Sequence, residues 1–420
     1  MKKLSLLILA GAAFFVAPAQ TTREEVYQTP EKAGGVYYAY PVSESLNTPA
    51  PKGYKPFYIS HYGRHGSRYL INDEDYSNVI NVLSEAKEHN ALSPLGEDVL
   101  NRLQEIWPEA QGRGGDLSPL GARQHHDIAT RMYKAYPEVF TPDADITAKS
   151  TIVLRCALSM AAFCEGLKEL EPALKIPREA SERYMHYLNY HSPESNKFTS
   201  SKGPWREEYR KFEASHVHPD RLVSTLFNDS NYAYKHVNPE KLMWGLYWIA
   251  VDMQNMESSQ SFMDLFEKEE LFDLWQIGNY HNYVCDGNYA PNNGLVLGNT
   301  KPQLKNIVET AEEYIAEGKH GATLRFGHDG NLMPLTGILR LEGCYDAIEN
   351  PDDIYKVFSN FRISPMAGNV QIVFFKNKEN DVLVKFMLNE RETSIPVATS
   401  QYPFYKWSDV KDFYNKILNE

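Results

Sequence analysis

The chain has 420 residues, with 55 acidic and 43 basic side chains, and a formal net charge of −12. That balance argues against nucleic acid as the main partner, because the sequence-independent part of such binding is cationic. With 42% hydrophobic and 12% aromatic residues the chain is not disordered, and its length exceeds the roughly 250–300 residues at which one core stops growing, so two subdomains are expected.

Residues 1–19 read as a secretory signal: Lys2 and Lys3 lead a 13-residue apolar run from Leu4 to Val16, followed by Ala17-Pro18-Ala19 before Gln20. A helix that spans a bilayer needs about 20 apolar residues. The expectation is an exported chain, periplasmic or secreted, with no integral membrane segment once the signal is removed. Gln20 to Gly53 reads as an extended lead-in. Short apolar runs predict strands at Phe57–His61, Thr151–Arg155, Ala322–Gly327, Val370–Lys376 and Val382–Leu388, and 3.6-residue periodicity predicts helices at Asp75–His89, Gly121–Ala135, Ser159–Leu170 and Leu304–Glu317. Leu-Ser-Pro-Leu-Gly occurs at 92–96 and again at 117–121, each time with a Ser N-cap and a Pro at the first helical position.

Residues 172–300 lack clean strand signals and are dense in Tyr, Trp, His and Asn. The expected architecture is α/β: a three-layer core with a mainly parallel sheet flanked by helices, formed by residues 20–171 and 301–420, plus a mainly helical cap inserted at 172–300. Cys156 and Cys164, eight apart on a helix, are separated by about 12 Å of rise, too far for a disulfide. Cys285 and Cys344 are either paired or buried thiols.

Three charged groups follow predicted strands: Arg64-His65-Gly66-Ser67-Arg68, Arg155 and His328-Asp329. Open α/β sheets bind ligands beyond the carboxyl ends of their strands, so all three can meet on one rim. Together they are the parts for hydrolysing a phosphate monoester without a metal or cofactor. His65 is the candidate nucleophile, attacking as a neutral ring whose other N–H is held by a backbone carbonyl. Arg64, Arg68 and Arg155 offer planar forks for phosphate oxygens, and His328 adds a donor. Asp329 donates a proton to the leaving oxygen and then serves as base for water. Gly66 is read as leaving room for the anion.

These motifs resemble those of the histidine acid phosphatases, the branch of the histidine phosphatase superfamily with phytases, acid phosphatases and multiple inositol-polyphosphate phosphatases. The family's R-H-G-x-R falls on Arg64, His65, Gly66 and Arg68, and its H-D motif on His328 and Asp329. Arg155 resembles the third clamping arginine, and Leu117 to His125 resembles a further family segment. Two departures stand out. Tyr69-Leu70 replaces a common Pro, and His328-Asp329-Gly330 differs from the H-A-E of many inositol-polyphosphate phosphatases. The resemblance implies a phosphohistidine mechanism. The length, the R-H-G-S-R-Y start and the predicted export point to inositol polyphosphates such as phytate as substrate.

The alternatives are a general or sugar-phosphate acid phosphatase, a mutase of the same superfamily, or a noncatalytic surface protein that binds phosphate esters and would not need Asp329. Lys202 and Arg206, within the charged stretch Lys197–Lys211, are candidates for contacting a polyphosphate, though such a stretch also suits a solvated face. His125 and His126 read as supporting residues, and Trp205, Trp244, Tyr247 and Trp248 as cap core.

Overall fold

Alternation along the strand that leads into Arg64 sets the layering. Tyr58 and Tyr62 face one apolar cluster while Ile59, between them, faces another. The computed structural model describes residues 21–42 and 47–420; the signal segment lies outside the described residues. Eight strands form one sheet: β1 (Lys55–Arg64), β2 (Asp145–Ser150), β3 (Arg178–Ala180), β4 (Gly321–Gly327), β5 (Asn369–Lys376), β6 (Val382–Leu388), β7 (Arg391–Thr393) and β8 (Phe404–Lys406). The order is β3-β2-β4-β1-β5-β6-β7, with β8 also on β6. Strands β3, β2, β4 and β1 are mutually parallel, whereas β5 to β8 add antiparallel pairings.

On one face, Ile59, Ile146, Leu324, Phe326 and Val373 are covered by helices Pro119–Ala135 and Leu154–Leu170 through Ile128, Met132, Phe163 and Leu167. On the other, Tyr58, Tyr62 and Phe374 meet helices Lys301–Ala316, Asp329–Ile338 and Trp407–Asn419 through Leu304, Leu335 and Tyr414. The sheet is thus the middle of three layers.

Between Leu170 and Lys301 only β3 is extended; the remaining elements are helical, the longest being Pro239–Asp252 and Lys268–Asp286. Helices Glu74–Glu88 and Pro94–Ala110 join this helical part, pinned by backbone bonds from Ser93 N to Leu226 O and from Asn228 N to Ala91 O, both 2.9 Å. Both Leu-Ser-Pro-Leu-Gly copies start helices, with Ser93 and Ser118 accepting from Gly96 N and Gly121 N. In each copy the glycine lies against foreign backbone. A β-carbon on Gly96 would stand 2.2 Å from Leu226 O, and one on Gly121 would stand 2.2 Å from Ser67 O.

Two sequence expectations are corrected. Thr151–Arg155 is not a strand: residues 151–153 form a loop with Ile152 exposed, and Leu154 opens a helix. The strand lies earlier, at β2, where Ile146 and Ala148 alternate with Asp145, Thr147 and Lys149. The lead-in is not simply extended either. It holds a helix at Thr22–Gln28, closed by a capping box at Thr21 and Glu24, and a 3₁₀ segment at Pro30–Tyr37. All four cysteines are free thiols, so Cys285 and Cys344 are not paired. Among the described residues no helix is long and apolar enough to cross a membrane.

Candidate active site

Parallel pairing brings three strand ends to one edge: Arg64 is opposite Gly327, and Ser150 is opposite Phe326. The chain leaves β1 as Arg64-His65-Gly66-Ser67-Arg68 under tight restraint. His65 N donates to Gly327 O at 2.9 Å, and Ala367 N donates to His65 O at 2.9 Å. Gly66 N donates to Ser159 Oγ at 3.1 Å and Ser67 N to Gln124 Oε1 at 2.9 Å. The need for glycine at 66 is packing, which differs from the expected room for an anion. A β-carbon there would sit 2.3 Å from Gly121 O, where helix Pro119–Ala135 abuts the loop.

The His65 ring has a defined tautomer. Nδ1 lies 2.9 Å from Gly66 O, and a carbonyl can only accept, so Nδ1 carries the hydrogen and Nε2 keeps its lone pair. Burial, then Arg64, Arg68 and Arg155, push the imidazole pKa well below its ordinary value. The ring is therefore neutral at mildly acid pH. Its centroid is 5.9 Å from that of His328.

The guanidiniums are held from behind. Arg64 Nη1 donates to Val36 O and to Ser364 O, the latter at 2.8 Å, and its Nη2 is 3.5 Å from Asp329 Oδ2. Burial, partly opposed by Asp329, lowers the Arg64 pKa to about 10, so it stays charged. Arg68 Nη1 donates to Tyr69 O at 2.8 Å, and the Arg68 fork lies 4.6 Å from the Tyr37 ring centre. Arg155 is in the first turn of helix Leu154–Leu170, not at a strand end, yet its charge bears on His65, Arg64 and His328. Arg64 Nε and Nη2, Arg68 Nε and Arg155 Nε are buried without a hydrogen-bond acceptor. Buried donors of this kind call for an acceptor, which the oxygens of a bound anion can supply.

His328 caps helix Asp329–Ile338. Its Nε2 is 3.2 Å from Thr151 Oγ1, and burial lowers its pKa to about 4, so it too is neutral. Burial alone would raise the Asp329 pKa, but Arg64 and Arg68 outweigh it and the net shift is downward. Access is one-sided. Arg64, His65 and Arg68 are buried, whereas Arg155, His328 and Asp329 are partly open to solvent.

The structure therefore brings together six residues predicted from sequence: Arg64, His65, Arg68, Arg155, His328 and Asp329. It does not place Lys202 among them; Lys202 is exposed on a turn. Arg206 stacks on Trp205 and Tyr209, 4.7 and 5.4 Å from their ring centres, and its charge reaches His281 and Cys285. His125 is buried behind Arg64 and its pKa is lowered to about 4 by burial. His126 binds Glu169 at 2.7 Å on the outer surface.

Residues missed from sequence come from distant segments. Tyr37 covers Arg68. Asp252 accepts from Tyr76 Oη at 2.7 Å and Leu70 N at 3.1 Å, and its charge supports Arg68. Asn255 accepts from Ser67 Oγ at 2.7 Å and donates to Tyr37 O at 2.9 Å. Asp252 left a signal, since it closes the otherwise apolar run Leu246–Val251; the others left none.

A neutral buried imidazole lies among unsatisfied guanidinium donors with a carboxyl on the open side, an arrangement that suits the binding of a phosphate ester. The profile of the histidine phosphatase superfamily (branch 2) matches residues 64–389, most of the chain, and the chain belongs to that superfamily. By class it is a phosphomonoester hydrolase. No curated protein sequence matches it.

Among solved structures, the Bifidobacterium longum multiple inositol polyphosphate phosphatase in complex with inositol hexasulfate is similar with TM-score 0.71 and 19% identity, over 91% of this chain and 97% of that one. The D. castellii phytase is similar with TM-score 0.67 and 14% identity, over 98% and 91%. The Hafnia alvei phytase in complex with myo-inositol hexakis sulphate gives 0.52 and 13%, over 87% and 98%. At such identities these likenesses establish the fold.

Proposed function

We propose that the chain is an exported, metal-independent hydrolase of inositol polyphosphates that works through a phosphohistidine on His65. The observation that carries the mechanism is the bond between His65 Nδ1 and Gly66 O, which leaves Nε2 as a lone pair beside the guanidiniums. Attack by Nε2 places negative charge on the equatorial oxygens, where the free N–H groups of Arg64, Arg68 and Arg155 stabilise it. Three fixed cations supply the charge stabilisation that a metal supplies elsewhere. Asp329 protonates the leaving oxygen, and water then cleaves the phosphohistidine with Asp329 as base.

The substrate class rests on the family, on two neighbours whose complexes each hold an inositol carrying six sulfate groups, and on residues 172–300 read as a cap. Supporting the cap reading, Leu188 O accepts from Tyr62 Oη at 3.3 Å. Export rests on residues 1–19. One observation favours a general acid phosphatase instead: the open side carries the Asp329 carboxylate, which is unfavourable to a polyanion.

The test is phosphate release from inositol hexakisphosphate by the metal-stripped enzyme in EDTA, with acid-quenched samples examined for label on His65. Turnover with labelled His65 is expected. Loss of activity that zinc or magnesium restores, or label elsewhere, overturns the mechanism. Turnover of p-nitrophenyl phosphate alone returns the enzyme to general phosphatases, and no turnover of either makes it a binding protein.

A further inference from the structure

The open side of the site holds a carboxyl that the reaction above does not use. Asp286 ends helix Lys268–Asp286, which packs against the helix opened by Asp329. A β-carbon on Gly330 would lie 3.3 Å from Asp286 Oδ1, so this carboxyl rests on the first turn of the Asp329 helix, one residue from the proton donor. Its Oδ2 accepts from Asn282 Nδ2 at 3.2 Å. The charged groups that bear on it are Asp329 and Arg64 across the cleft. On its own helix Asn282 is neutral, and Arg206, from the helix packed alongside, bears on the preceding Cys285 and on His281.

Two carboxyls share the field of Arg64, and the geometry favours one. Arg64 Nη2 is 3.5 Å from Asp329 Oδ2, and the arginines hold Asp329 below the usual carboxylate range against the effect of burial. Asp286 is pushed the other way, to about 7, by burial and then by the Asp329 charge, with Asn282 and Arg64 opposing. The pair is thus split into one acid and one base across the mildly acid range. A phosphate ester bound to the arginines takes over the counter-charge that keeps Asp329 ionised, which raises the proton affinity of Asp329.

Building on the phosphohistidine reading, we propose that Asp286 is a positioning residue that acts through Asp329: the two carboxyls hold one proton between them, and phosphate binding moves it from Asp286 to Asp329. As the His65 Nε2–P bond forms and the P–O bond breaks, that proton passes from Asp329 to the leaving oxygen. Both carboxyls are then ionised. The water that cleaves the N–P bond returns a proton to Asp329, and it goes back to Asp286 when phosphate departs.

The test is the single-turnover phosphorylation burst against pH for Asp286→Asn and Asp286→Glu, with an alkyl phosphate and with p-nitrophenyl phosphate. Removing the second carboxyl lowers the proton affinity of Asp329. The alkaline limb for the alkyl ester should therefore move down by about 1 pH unit or more in Asp286→Asn. It should return most of the way in Asp286→Glu, while the aryl ester, whose leaving group needs no proton, changes little. A limb that stays in place, or equal losses for both esters, overturns the proposal while labelled His65 still upholds the mechanism; absence of that label in the wild type overturns both. If Asp286→Asn does not fold, infrared difference spectra of the wild-type enzyme on binding vanadate decide. A shift of the protonated-carboxyl band is expected, and no change in that band overturns the transfer.

Discussion

The attacking side and the leaving side of the site, as the proposed reaction assigns them, are built differently. Arg64, His65 and Arg68 are buried, and the loop that carries them is tied through its backbone to β4, to the Ala367–Gly368 turn and to the side chains of Ser159 and Gln124 on two helices. His328 and Asp329 are partly open and less heavily braced, through Thr151, Tyr62 and Arg64. The attacked phosphoryl group is the same in every monoester, so the side that meets it can be rigid and dry. Leaving groups differ in size and basicity, so selectivity among substrates belongs to the open side.

The largest effect expected from this contrast is on the attacking side. His65→Ala should reduce turnover of every monoester by more than about 10⁴-fold and leave the circular dichroism spectrum intact; substantial activity in that variant would remove histidine as nucleophile. On the leaving side, Asp329→Asn should separate substrates. The phosphorylation burst with an alkyl phosphate should fall by about 10²–10⁴ and that with p-nitrophenyl phosphate far less. Equal losses would rule out the donor role.

Gly121→Ala sets the rigidity of the attacking side against substrate choice. Its β-carbon would stand 2.2 Å from Ser67 O, a clash that costs about 1–3 kcal/mol. The melting temperature and both esters' rates should fall together; a loss confined to one ester would blur the division.

Acid should also strike the attacking side first, because burial lowers the pKa of His61 to about 3 and that of His125 to about 4 behind the loop. The unfolded chain takes up those protons near pH 6.5 and the folded chain does not, so this contribution to stability is lost as pH falls from about 6.5 toward 4. Asp252 and Asp286, raised to about 6 and about 7, act in the opposite sense. The check is therefore a difference: urea midpoints of His61→Leu should fall less with acid than those of the wild type. The smallest effect is expected on the surface of residues 172–300, where Lys202→Glu with Arg206→Glu should raise KM for inositol hexakisphosphate less than about tenfold, and less still in high salt. No difference from p-nitrophenyl phosphate would make these residues ordinary surface.

The motifs Arg64–Arg68 and His328–Asp329 were legible because the reaction dictates those residue types and because β1 and β4 are continuous apolar strands. Arg155 was found for a partly wrong reason. Thr151-Ile-Val-Leu is β-branched and apolar, but Ile152 and Leu154 are exposed in the loop and first turn that carry Arg155 to the rim. The true strand, Asp145–Ser150, hid behind alternating polar residues. Tyr37, Asn255 and Asp286 were illegible because each reaches the site from a segment whose local pattern concerns only its own helix. Their part arises from packing between elements far apart in sequence.

The bond that fixes Arg64 carries a consequence for how activity is acquired. One guanidinium nitrogen donates to Val36 O, 28 residues earlier, and to Ser364 O, 300 residues later. While a ribosome is still making the chain, a nascent segment that already contains His65, and even His328 and Asp329, lacks the carbonyl that completes the clamp. Hydrolysis should start only after residue 364 has emerged and docked. The first turnover then marks the docking of the segment around Ser364, and unfinished chains that end before it should spare phosphate esters.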